Sequence, residues 1–78
     1  MVYKITAFFN LADGQTETLY LGEYSSKTQA ISKMKTEISG LREIHQIDTI
    51  VRTENIAVLI IDQNSVLSII INEKDKDV

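Results

Sequence analysis

The C-terminal third of the chain, IAVLIIDQNSVLSIII from Ile56 to Ile71, consists of two aliphatic runs separated by a four-residue polar break. Successive side chains of a strand point to opposite faces. Read by parity, one face of this hairpin carries Ala57, Leu59, Ile61, Leu67, Ile69 and Ile71, and the other carries Ile56, Val58, Ile60, Val66 and Ile70. Both faces are apolar. One side of a small sheet needs only one such set, so the pattern predicts two strands that require cover on both faces.

The remaining pattern supplies four more elements. Tyr3, Ile5, Ala7, Phe9 and Leu11 alternate with Lys4, Thr6, Phe8 and Asn10, which predicts a strand with one apolar and one mixed face. Glu17 to Tyr24 alternates as its partner, and Asp13-Gly14 between them signals a hairpin. A three-residue loop, Ala12 to Gly14, would put Ile5 opposite Leu21 and Ala7 opposite Leu19, gathering the apolar residues on one face. A two-residue turn would put Ile5 opposite Gly22 and Ala7 opposite Tyr20. The first register is preferred because it keeps the apolar set together.

Ser26-Lys27-Thr28-Gln29 has capping-box spacing, and Ile31, Met34, Ile38 and Leu41 follow at intervals of three and four. This predicts an amphipathic helix from Ser26 that stops near Ser39-Gly40, with Gly40 in the left-handed position after the last turn. Leu41 and Ile44 could extend the stripe by a turn. Gln46 to Thr53 alternates weakly as a third strand, Glu54-Asn55 and Asp62 to Ser65 are turns, and Asn72 to Val78 reads as a charged, solvated tail. The expectation is a single α+β domain over residues 1–71: a mostly antiparallel sheet of about five strands in the order ββαβββ, with one helix on one face. Strand order cannot be read from the pattern.

Composition narrows the class. At 78 residues a single core stabilises a fold by only a few kcal/mol, and with no cysteine neither disulfides nor thiolate metal sites can add to it. The amino-terminal residues alternate like a strand rather than forming a basic leader with an apolar core, and the longest apolar run is far short of a bilayer span. A soluble, cytoplasmic protein is expected. Net charge is −3, from 8 Lys and Arg against 11 Asp and Glu, which gives no general attraction to nucleic acid.

Candidate chemistry is sparse. His45 is the one histidine, with Glu43 and Asp48 near it in sequence, a common and weak spacing that lacks the orienting network of a general base. The serines suit caps, turns and strands, and Gly14, Gly22 and Gly40 are too dispersed for a phosphate loop. The expectations are therefore no enzyme activity, no cofactor and no metal site. A nucleic-acid reading would stack bases on Phe8, Tyr20 and Tyr24 beside Lys4, but Glu17 and Glu23 share that hairpin and no basic stripe accompanies the rings.

A helix of this length covers two or three of five strands, because such a sheet spans roughly 20 Å between its outer axes. The even-numbered set of the last two strands is then left for a partner. The partner-binding expectation is Phe8, Tyr20, Ile56, Val58, Ile60, Val66 and Ile70, in a protein-binding module that forms a homodimer or docks on a target. The competing arrangement folds Gly40 to Ile47 over that second face. Twelve isoleucines, and six lysines to two arginines, in a short, acidic, cysteine-free chain look like the accessory proteins of phages and mobile elements, some of which inhibit host factors. This likeness is one of composition rather than of motif.

Overall fold

The computed structural model describes residues 1–11 and 13–74. The elements are β1 (Val2–Asn10), β2 (Thr16–Tyr24), α1 (Lys27–Ile44), β3 (Ile47–Arg52), β4 (Ile56–Ile61) and β5 (Ser65–Lys74). The strands form one antiparallel sheet in the order β2-β1-β5-β4-β3. The expected α+β class and ββαβββ order hold, and the order that could not be read puts β5 at the centre, between β1 and β4.

The first hairpin has the three-residue geometry at its turn. Leu11 N–H donates to the Gln15 carbonyl at 2.8 Å, Gly14 N–H donates to the Leu11 carbonyl at 3.0 Å, and Gly14 has φ +90°. Ala12 lies outside the described residues. Ala7 stands opposite Leu19 as expected, but Ile5 stands opposite Gly22, not Leu21. A bulge between these pairs, with Gly22 at φ +127°, inserts one extra residue into β2. The three-residue-loop register and the two-residue-turn register therefore both occur in this hairpin, one on each side of the bulge.

Ser26 caps α1, its Oγ accepting from Gln29 N–H at 3.4 Å. The expected stop at Gly40 is overturned: the helix runs on through Gly40 to Ile44, and His45 is its C-cap. A glycine in a helix interior costs only about 1 kcal/mol, and the added turn brings Leu41 onto the core. Asn72 to Lys74 likewise belong to β5, pairing with Val2, Tyr3 and Lys4, rather than to a tail; residues 75–78 lie outside the described residues.

The core sits between α1 and one face of the sheet. Ala30, Met34 and Ile38 meet Ile5, Ala7 and the whole odd-numbered set Ala57, Leu59, Ile61, Leu67, Ile69 and Ile71, all of them buried. The helix lies chiefly across β1, β2 and β5. The Gly40 to Ile47 segment does not cover the other face: it is the end of the helix, the cap and the entry to β3, and Ile47 packs on the helix side.

The β4–β5 turn contains two consecutive non-glycine residues at positive φ, Asp62 at 51° and Gln63 at 66°. Left-handed geometry is tolerated by aspartate and is unfavourable for glutamine. Gln63→Gly restores the Asp-Gly pair that this turn favours and should stabilise the fold by about 0.5–1 kcal/mol. The check is a urea midpoint that rises at an unchanged slope.

Candidate functional site

The second face of the sheet has no helix on it. Strand register fixes what stands there. The central row runs Val51, Val58, Ser68, Phe8 and Thr18 from β3 to β2. One row toward the β4–β5 turn are Asp48, Ile60, Val66, Asn10 and Thr16. One row the other way are Ile56, Ile70, Thr6 and Tyr20. The structure thus brings together all seven residues expected at a partner surface. Ile56, Val58, Ile60, Val66 and Ile70 form a continuous block on the adjacent strands β4 and β5, each only partly shielded by its neighbours. Phe8 and Tyr20 adjoin them on β1 and β2, at 36% and 52% exposure.

Val51, 41% exposed, joins this surface and was not expected there. A bulge between Thr49 and Val51 resets the phase of β3, and the run Ile50-Val51 carries no alternation from which the phase could be read.

Charge on this face is confined to its margins. Lys4 Nζ sits 5.0 Å from the centre of the Tyr20 ring, a cation–π contact, and Glu23 stands across from Lys4. Partial desolvation, with the nearby Glu23 carboxylate, pushes the Tyr20 hydroxyl above its ordinary pKa. Asp48 marks the opposite corner. Tyr24, the third ring of the nucleic-acid reading, is not on this face: it stands opposite Tyr3 and packs against the core. Only two of the three rings can face one ligand, and one of those has Lys4 over it.

Both edges of the sheet are irregular, β2 by the bulge at Gly22 and β3 by the one at Ile50. Bulged edges are poor templates for an added strand, so the face, rather than an edge, is the accessible apolar surface of the sheet.

His45 finds a partner that its sequence neighbours do not provide. Its Nδ1 stands 2.7 Å from Asp62 Oδ2, where the ring N–H donates to the carboxylate. Asp62 Oδ1 accepts Gln46 N–H at 2.9 Å, and Asp62 N–H donates to the Gln46 carbonyl at 2.8 Å. These bonds tie the helix C-terminus to the β4–β5 turn, 17 residues away. Both side chains are well exposed, at 39% and 49%, and the arrangement acts as a clasp between the two segments. Among the described residues no three His, Cys, Asp or Glu side chains converge as a metal site would need.

The Gln46 amide first, and His45 second, hold the Asp62 carboxyl below its usual pKa. A carboxylate with a depressed folded-state pKa contributes stability that is present above the unfolded value, about 3.9, and lost as pH falls through the folded value. The melting temperature should therefore drop on acidification below about pH 4, and Asp62→Asn should shrink that drop. Identical acid limbs for parent and variant would remove the clasp from the explanation.

No helix among the described residues is long and apolar enough to cross a membrane. Compared with known proteins, the chain matches no family model, and the comparisons with curated proteins and solved structures found no match.

Proposed function

We propose that the chain is a non-catalytic protein-binding module whose working surface is the helix-free face of its sheet, and that in the absence of another target this face pairs with a second copy. The observation that carries the reading is the block Ile56, Val58, Ile60, Val66 and Ile70, extended by Phe8, Val51 and Tyr20, on a face that no part of the described chain covers.

Each outward residue of a sheet occupies about 4.8 by 6.7 Å. The eight apolar positions then span about 260 Å² in projection and the whole face roughly 500 Å². Two such faces bury about 1,000 Å² in total, near the lower bound for a specific interface. The pairing is accordingly expected to be reversible, in the micromolar range. Charge restricted to the margin, around an apolar centre, is the composition of an interface core and rim. A two-fold axis along β5 would set Phe8 of one copy over Val58 of the other and bury the block on both copies at once. A target protein with an apolar patch would compete for the same surface, which is how an inhibitory accessory protein would use it.

The test is light scattering across a dilution series from about 1 mM to about 1 µM. The parent mass should fall from twice the chain mass to the chain mass, whereas Ile70→Lys should stay monomeric with a native circular dichroism spectrum. A parent that is monomeric at every concentration, and that no target protein engages through Ile70, overturns the reading.

A further inference from the structure

On the helix side of the sheet, a cleft of about 330 Å³ lies between α1 and β3, lined by Lys35, Ile38, Ser39, Arg42, Thr49 and Arg52. The four helical residues follow i, i+3, i+4, i+7 spacing and so form one stripe facing the strand. Thr49 and Arg52 complete it from β3. In a regular strand, residues three apart point to opposite faces. The bulge between Thr49 and Val51 changes this: Thr49 stands opposite Leu59 and Arg52 opposite Ala57, both buried on the helix side. Without the bulge, Arg52 would point to the helix-free face. The irregularity in β3 thus has a specific consequence, which is to turn an arginine into the cleft.

The chemistry of the lining is one-sided. The chain carries net charge −3 and only two arginines, yet both arginines and Lys35 meet here, and no carboxylate lines the cleft. Arg42 Nη2 donates to Thr49 Oγ1 at 2.9 Å, bridging the two walls, and Arg52 Nη1 donates to the Thr53 carbonyl. Both acceptors are neutral, so they position the guanidinium groups without cancelling their charge. The ion pairs among the described residues are Lys27 with Glu54, Lys33 with Glu37 and His45 with Asp62; none involves the three cleft cations. Like charges gathered in this way repel one another unless an anion lies between them.

We propose that this cleft binds a dianionic phosphate group, either free or as the terminal group of a small molecule. Guanidinium forks match phosphate oxygens in bidentate fashion, an ammonium supplies a point charge, and the hydroxyls of Ser39 and Thr49 add neutral donors. A single carboxylate would leave most of the positive charge unanswered. The cleft is larger than a phosphate ion and has room for a small substituent.

The experiment is a titration of the isotope-labelled full chain with inorganic phosphate and, separately, with adenosine monophosphate, followed by amide chemical shifts at ionic strength held constant with sodium chloride. Saturable shifts at Ser39, Arg42, Thr49 and Arg52 are expected. Response to both ligands assigns a terminal phosphoryl group, and response to phosphate alone assigns the free ion; either supports the site. Arg52→Gln and Arg42→Gln should each weaken binding on the order of tenfold while keeping a native spectrum, and Lys74→Gln, which removes the same charge from outside the cleft, should change it less than about twofold. Shifts spread over all the lysines, reproduction by sodium chloride alone, or equal weakening by Lys74→Gln would overturn the proposal.

Discussion

Leu59→Lys is expected to leave the chain unfolded at 25 °C, whereas Val58→Lys, one residue away on the same strand, should fold and lose self-association. Leu59 is fully buried and stands between Thr49 and Leu67 in the sheet. Truncating a core leucine to alanine already costs about 2–5 kcal/mol, and a buried, unpaired ammonium costs several more. A cysteine-free domain of this size has only about 3–5 kcal/mol to lose, so the first variant exceeds the total. Val58 points to the other face, between Val51 and Ser68, where a lysine ammonium stays in water and its stem lies along its neighbours. Circular dichroism and light scattering on the same samples separate the two effects. If both variants unfold, the second face is interior core and the interface reading fails. If Val58→Lys folds and associates like the parent, the apolar block is not the contact.

The contrast between these neighbours shows what in the chain was legible. Side-chain direction in a strand has a fixed period of two, so the odd and even sets of the last hairpin could be assigned to opposite faces before any pairing was known. The turn at Asp13-Gly14 and the cap at Ser26 were legible for a similar reason: each depends on a few adjacent residues with one favoured local geometry. Strand order was not. The central position of β5 depends on pairing between Val2–Asn10 and Ser65–Lys74, segments at opposite ends of the sequence whose local patterns admit several orders.

The misreadings arise where a local signal competed with packing. Gly40 looked like a helix stop, but burial of Leu41 outweighs the propensity of one glycine. His45 has Glu43 and Asp48 as its acidic neighbours in sequence, whereas its partner, Asp62, is brought to it by the β4–β5 turn. The bulge in β3 left no trace in sequence, because Ile50 and Val51 are both apolar and either phase is plausible. It nonetheless decides two things together: Val51 joins the open face, and Arg52 enters the cleft.

The bulge in β2 did leave a trace, a glycine within a strand, and it supplies the second large expected effect. Gly22→Val should destabilise the fold by about 2–3 kcal/mol. Space is not the obstacle, since a Cβ at this position would lie 3.5 Å from the Tyr24 ring, an ordinary contact. The obstacle is the backbone at φ +127°, which a β-branched residue strongly disfavours. Valine must either bear that strain or remove the bulge. Removing it slips Gly22 to Tyr24 by one residue against β1 and turns Tyr24 away from the core. Gly40→Ala is the matched control: it lies within α1, has nothing within 4 Å of its added Cβ and no positive φ, and should gain about 0.5–1 kcal/mol from helix propensity. Urea midpoints moving in opposite directions for the two variants are the expected outcome. A Gly22→Val midpoint equal to that of the parent would mean that β2 can drop its bulge without cost, and that the register from Thr6–Tyr20 to Ile5–Gly22 is not what holds Tyr24 on the core.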